Sequence, residues 1–224
     1  MYGAGRLLLI VTALVLATVA GWRLAIRWEP SRDTYPVQGI DVSEANGAIE
    51  WPVAKGAGVD FGYAVATHGD NVRDRAFQTN WDAMAAAGVR RGAIHVYSFC
   101  QPGADQADAF NTVVPVTKDA LPAAIALDYD DACTDRPQRD RLLAEVAAAA
   151  KRIEAHTGMP VLLKVSRAVE NDYRFGEAMK RNLWVVGNFL KPGYAARPWR
   201  MWQASDLRRV DGVDGPVNWD VAVK

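Results

Sequence analysis

Asp128 and Asp130 flank Tyr129 directly after an apolar run, Ala123-Ala124-Ile125-Ala126-Leu127. Residues two apart on an extended segment point to one face, so the two carboxyl groups share a side and Tyr129 takes the other. Carboxylates that close repel, which favours retention of a proton by one of them. A protonated acid beside an ionised carboxylate is what glycoside hydrolysis needs: the acid protonates the leaving oxygen, and the ionised group stabilises positive charge at the sugar carbon. Other polar residues sit at the ends of apolar runs in the same way. Asp41 follows Gly39-Ile40, Thr67-His68 ends the run from Phe61, His95 and Tyr97 lie in Gly92–Phe99, and Asn218 and Asp220 lie in the last run. A single aspartate in such a place is more often a helix cap or a loop hydrogen-bonder. Four acids at three run ends of one chain argue for a site. Lys164, near the end of Val161–Val165, suits a pair with one of these carboxylates as well as it suits a Schiff-base lysine. Trp202 and Trp219 suit stacking on sugar faces or packing in a core equally. No His-x-His or His-Glu-x-x-His spacing is present, so neither a metal nor a cofactor is expected.

These residues need a frame that brings separate run ends together. Short apolar runs alternate with helical patterns: Val37–Val42 with a helix near Trp51–Ala57, Phe61–Thr67 with Arg75–Ala87, Gly92–Phe99 with Ala104–Val114, and Ala123–Asp128 with Pro137–His156. The last helix carries Leu142, Leu143, Val146, Ala150 and Ile153 on one stripe, with Asp135 as the expected cap and Gly158 as the stop. The runs Val161–Val165, Leu183–Val186, Met201–Gln203 and Val217–Val221 bring the strands to about eight, with weaker helical patterns between them. Near-continuous apolar strands alternating with helices argue for a parallel sheet. Eight of them argue for closure into a barrel whose active site lies where the strands end. The expected fold class is therefore α/β: a (β/α) TIM-like barrel as a single domain, preceded by one N-terminal hydrophobic helix. An open doubly wound sheet would place a Gly-rich phosphate turn after its first strand, and Asp41-Val42-Ser43-Glu44 is not one.

The chain of 224 residues has room for one sizeable core. With 50% hydrophobic and 23% charged residues it is neither a disordered chain nor a disulfide-stapled miniprotein. Lys plus Arg (26) balances Asp plus Glu (26) without a basic block, so no nucleic-acid partner is expected. A charge-free run, Leu7–Trp22, lies between Arg6 and Arg23. It falls between a signal-peptide core and a full span of about 20 residues, and snorkelling of Arg23 brings Leu24 to Ile26 into the helix. Thr18-Val19-Ala20 offers small residues to a signal peptidase, whereas Trp22 and Trp28 suit the interface of a retained helix. Residues 1–28 are expected to be a transmembrane anchor or signal segment, 29–36 a linker holding Pro30 and Pro36, and 37–224 the barrel. In a translocated domain Cys100 and Cys133 are expected to pair.

With these residues in view, the chain resembles the glycoside hydrolase family 25 lysozymes (N-acetylmuramidases), in the proteobacterial form with an N-terminal membrane segment. The resemblance runs from about Val37 to Val223. It is carried by Gly39-Ile40-Asp41-Val42-Ser43, Asn46-Gly47-Ala48-Ile49-Glu50-Trp51, Ala66-Thr67-His68-Gly69, Gly92-Ala93-Ile94-His95-Val96-Tyr97, Leu127-Asp128-Tyr129-Asp130, Leu183-Trp184-Val185, Trp202-Gln203 and Val217-Asn218-Trp219-Asp220 in that order. It implies cleavage of the β-1,4 bond between N-acetylmuramic acid and N-acetylglucosamine with net retention, the substrate's own N-acetyl group assisting. Asp41, Asp128 and Asp130 match the family's acids, with Asp128 orienting or charge-stabilising that group and Asp130 protonating the leaving oxygen. Substrate contacts are expected from His68, His95, Tyr97, Lys164, Trp202, Asn218 and Asp220. Cys100 and Cys133 stand where proteobacterial members carry a disulfide. The implied partners are peptidoglycan and, through the N-terminal helix, a membrane. The protein is expected to be a monomer, anchored in the inner membrane with its domain in the periplasm, or secreted if the helix is cleaved. The chain departs from the family at Asp130, where the family has glutamate, at His68, often glutamate, and at Lys164, often tyrosine. Its closing Asn218-x-Asp220 inverts the family's Asp-x-Asn. A second reading follows from the shortened acid: a membrane-tethered peptidoglycan-binding pseudoenzyme. A third is a metal-dependent barrel hydrolase.

Overall fold

The computed structural model describes residues 2–223. Helix α1 (Tyr2–Ala25) contains a stretch, Gly5–Ala25, long and apolar enough to cross a membrane, and none of that stretch is buried. The chain then forms β1 (Val37–Val42), a 3-10 turn at Glu44–Asn46, α2 (Trp51–Gly56), β2 (Phe61–His68), the two-residue β3 (Val72–Arg73), α3 (Phe77–Ala86), β4 (Arg90–Val96) and α4 (Gly103–Val113). There follow β5 (Ala124–Leu127), α5 (Arg139–Thr157), β6 (Leu162–Val165), α6 (Arg167–Tyr173), α7 (Phe175–Ala178), β7 (Asn182–Val186), β8 (Met201–Arg209) and β9 (Pro216–Ala222). Gly158 ends α5 in the left-handed conformation, as expected, at φ 74°. Asp135 is not the cap of α5: the helix begins after Gln138, beyond Pro137.

The strands run in the order β1-β9-β8-β7-β6-β5-β4-β2, and β1 pairs with β2, so the sheet closes on itself; β3 is a short hairpin arm on β2. The architecture is one α/β domain around a closed β-barrel. It departs from the expected fully parallel barrel at β9, which is antiparallel to both β8 and β1. Only residues 210–215 join β8 to β9, far fewer than a parallel crossover requires. No helix covers this part of the wall either. Its outer face is packed instead by residues 26–36 and 189–199. The Trp28 ring meets Phe189 at 5.3 Å and Trp202 at 6.3 Å, and Tyr35 meets Trp199 at 6.3 Å and Trp202 at 5.8 Å. Trp219 Nε1 donates to Gln38 Oε1 at 2.7 Å, and Gln38 Nε2 donates to the carbonyls of Pro30 and Tyr35. Arg32 donates to Gly58 O at 2.5 Å and to Asp60 at 2.9 Å. The segment between helix and barrel thus lies against the wall along its length.

Side chains alternate between the barrel interior and the layer beneath the helices. Phe61, Tyr63, Val65, Ile94, Ala124, Leu162, Trp184 and Met201 fill the interior. Trp184 and Tyr63 meet at 5.0 Å, and the room for them comes from glycine. A Cβ on Gly92 would lie 2.2 Å from the Tyr63 ring, and one on Gly39 would lie 2.1 Å from Phe61 O. Gly92→Ala is accordingly expected to lower stability by about 1–3 kcal/mol through overpacking. Urea denaturation of the full chain measures this, and an unchanged midpoint would show that the ring can yield.

Candidate active site

Asp41 is the last inward-facing residue of β1 and Lys164 that of β6, so the barrel brings together side chains 123 positions apart. Lys164 Nζ donates to Asp41 Oδ2 at 2.5 Å, and the two side chains are only 10% and 7% exposed. Asn218 Nδ2 donates to the other oxygen, Oδ1, at 2.9 Å. The Lys164 ammonium also lies 4.4 Å from the centre of the Trp184 ring, a cation–π contact in a dry setting.

Asp220 completes the group from beneath. It is fully buried, and its Oδ1 accepts from Trp184 Nε1 at 3.0 Å. Its Oδ2 has no donor. Burial raises its pKa well above the usual carboxylate range, and the nearby Asp41 charge raises it further against the opposing pull of Lys164. The shift favours the protonated form of Asp220, the form that can donate toward Asp41. Asp41 is held by an ammonium and an amide, with the buried Asp220 carboxyl beneath it.

Above this group a cavity of about 430 Å³ opens at the C-terminal ends of the strands. Asp41, Lys164 and Asn218 form part of its floor, and His68 and Asp128 stand on its walls. Both of the latter are exposed. Asp128 Oδ1 accepts from Tyr129 N at 2.8 Å, which leaves its other oxygen free to meet a ligand.

Asp220, also expected as a contact, lies beneath the floor rather than on it, and four further expected site residues lie elsewhere. In β4 it is Ile94 and Val96 that line the mouth, so His95 between them faces α4. His95 is fully buried; Nδ1 bonds Thr67 Oγ1 at 2.8 Å and Nε2 bonds Gln106 Oε1 at 3.2 Å. The Gln106 oxygen only accepts, so Nε2 carries the proton, and burial holds the imidazole pKa down to about 4. Tyr97 follows the same outward parity. It lines a separate cavity of about 350 Å³ beside Cys100, with burial and Glu145 raising its pKa. Trp202 alternates with the inward-facing Gln203, packs under Trp28 and Tyr35, and donates from Nε1 to Gly187 O at 2.6 Å. Asp130 is the fourth. β5 stops at Leu127, so residues 128–130 do not continue as a strand. Asp130 Oδ1 accepts from Ala132 N at 2.9 Å, its carbonyl accepts from Cys133 N at 3.1 Å, and it is not among the residues lining the mouth. That turn is closed by the disulfide Cys100–Cys133, which ties the loop after β4 to the loop after β5 with 5.8 Å between Cα atoms.

Sequence reasoning missed Ser43, Asn46, Ser166, Gln203 and Asp206, all of which line the mouth. Alternation from Met201 points Gln203 inward. No comparable signal marks Asp206, which follows irregular pairing between β8 and β9. Among the described residues no group of three or more His, Cys, Asp or Glu side chains converges as a metal site.

A closed α/β barrel with a carboxylate-lined mouth defines a class in which glycosidases are common. The family model for glycosyl hydrolases family 25 matches residues 40–213, and the chain belongs to that family. It is 30% identical over 195 residues to an uncharacterized protein, YegX, of Escherichia coli K12, covering 84% of this chain and 70% of that one. It is likewise 30% identical over 203 residues to lysozyme M1 of Streptomyces globisporus, covering 83% of this chain and 67% of that one. The family 25 glycosyl hydrolase structure from Bacillus anthracis superposes with a TM-score of 0.81 at 26% identity, over 88% of this chain and 92% of that one.

Two predictions concern the floor. Lys164→Met strands Asp41 in a buried, unpaired state and is expected to cost about 3–5 kcal/mol, measured by urea denaturation. Asp220 has the opposite pH linkage to most carboxylates. Its folded pKa lies above the unfolded value of about 3.9, so its contribution is complete below that pH and is lost as pH rises toward the folded value. Asp220→Asn, which keeps a donor toward Asp41, is expected to flatten the fall in stability above about pH 4. Parallel wild-type and variant melting curves across that range would contradict the assignment.

Proposed function

We propose that this chain is a lysozyme of the N-acetylmuramidase type, hydrolysing peptidoglycan between N-acetylmuramic acid and N-acetylglucosamine at the mouth of a TIM-like barrel. The observation that carries the reading is a free, exposed carboxylate, Asp128, on the wall of the mouth in a family 25 chain. In this mechanism Asp128 orients the substrate's N-acetyl group as its oxygen attacks the sugar carbon and the glycosidic bond breaks. Asp130 gives its proton to the departing oxygen; water then attacks the same carbon, the bond to the acetyl oxygen breaks, and the water's proton returns to Asp130, which leaves net retention. Asp41 is the fixed floor, held by Lys164 and underlain by Asp220, and with Asn218 and His68 it shapes the mouth for the sugar. The N-terminal helix is retained as an anchor, and residues 37–224 work on the periplasmic side of the inner membrane.

Asp130 must leave the Ala132 amide and turn toward the mouth to act. As an aspartate it also reaches about 1.5 Å less than glutamate, one carbon–carbon bond. Misplacement by 1 Å can cost about a hundredfold in rate. These two facts favour a second reading, a tethered peptidoglycan-binding protein with weakened or no hydrolase activity.

The two readings separate on release of reducing ends from purified peptidoglycan by the full chain in detergent. A lysozyme releases soluble muropeptides, Asp130→Asn lowers the rate by about a hundredfold or more, and Asp128→Asn is severely impaired. Asp130→Glu is expected to match or exceed wild type. No release by wild type, with retention on the wall and activity gained in Asp130→Glu, supports the binding protein. Full activity in both Asn variants would overturn the assigned roles.

A further inference from the structure

Leu190 is 80% exposed, more than any other large apolar side chain among the described residues, those of α1 included. It is presented by a strained backbone. Phe189 before it has φ 65°, a left-handed conformation that bulky residues rarely adopt, and is held there by its amide bond to Ala204 O at 2.8 Å. The Phe189 ring packs on Trp28 at 5.3 Å. Trp28 is three residues beyond the end of α1, so at most about 10 Å of chain separates this contact from the membrane-length helix. The junction is not free to swing. Arg209 N donates to Ile26 O at 2.8 Å, Arg208 donates to Arg27 O at 2.5 Å, and Arg208 pairs with Glu29 at 2.6 Å. Arg23, Arg27 and Lys191 are exposed around the same corner.

The same loop is the rim of the mouth. Val186, just before it, lines the cavity, and Asn188 Nδ2 donates at 2.8 Å to Asp206, which also lines it. The exposed leucine is followed by the exposed Lys191, with Arg23 and Arg27 exposed on the chain leading to Trp28 and one carboxylate, Asp206, on the mouth side of the loop. Lying within a short distance of a membrane-length helix, this set matches the chemistry of an anionic bilayer surface: acyl boundary for the leucine, headgroups for the cations.

We infer that residues 188–191 are a membrane-contacting element that rests the β7 side of the mouth on the bilayer surface. The inference rests on the reading of α1 as a retained anchor. Its consequence is a restricted substrate: glycan lying against the membrane is within reach of the mouth, and glycan further out is not.

Environment-sensitive dyes on single cysteines test this, because the native cysteines are paired and an introduced one is the only free thiol. Full chains carrying Leu14→Cys, Leu190→Cys or Ala155→Cys are labelled and reconstituted in nanodiscs of zwitterionic and anionic lipid. Leu14 lies within α1, and Ala155 is exposed on α5. The expected result is blue-shifted emission, quenched by spin-labelled lipid, at positions 14 and 190 and water-like, unquenched emission at 155. Quenching at 14 with water-like emission at 190 would leave the anchor standing and overturn the membrane contact. Absence of quenching at 14 would overturn the anchor reading and the contact with it.

Discussion

The ion pair between Asp41 and Lys164 ties the two sides of the barrel mouth together. Taking both charges out of water is costly, and the cost is offset only when geometry and further hydrogen bonds are good. Here the carboxylate has Asn218 on its second oxygen and the ammonium has the Trp184 ring beside it. A second ionised carboxylate at full burial would leave one ammonium facing two negative charges, which is why burial and the Asp41 charge push the pKa of Asp220 upward. The pair therefore constrains three further positions, and a change at any of them would be felt at the floor of the mouth.

The pair also decides what is left for chemistry. Asp41 is committed to its partner, which leaves Asp128 on the wall as the carboxylate with an oxygen free to meet a ligand. Asp130 belongs to a turn that the disulfide closes, which gives that loop a defined resting shape away from the mouth. The mouth is thus pre-formed in its floor, while Asp130 rests outside it. The wall opposite is finished in an unusual way: where β8 and β9 lack helices, the polypeptide leading in from α1 supplies the covering aromatic residues. The segment that follows α1, the wall and the rim are in this way parts of one packed unit.

Much of this frame was legible because apolar runs report strands directly. Val37–Val42 is a strand over the expected residues, and the helix stopped at Gly158 ends there. The direction of β9 was not legible, since alternation reads the same in either direction. The misplaced contacts share one cause. In a barrel wrapped by helices both faces of a strand are buried, so a polar or aromatic residue at a strand end does not reveal its parity. His95, Tyr97 and Trp202 took the outward parity, whereas Asp41, Lys164 and Asn218 took the inward one. Asp130 rests away from Asp128 for another reason: the extended geometry that would align them ends at Leu127, and the turn bonds to Ala132 and Cys133 take over. The Asp41–Lys164 pair was one of two open options for the lysine, and only closure of the barrel decides between them.

The proposed function requires that glycan be bound and cleaved at this mouth, over the Asp41–Lys164 floor. In a crystal structure of the Asp128→Asn chain with a peptidoglycan tetrasaccharide, sugar rings are expected in the mouth cavity between His68 and position 128, with the Asp130 carboxyl turned from the Ala132 amide to the glycosidic oxygen. Sugar bound only outside the mouth, with the floor untouched, would contradict it.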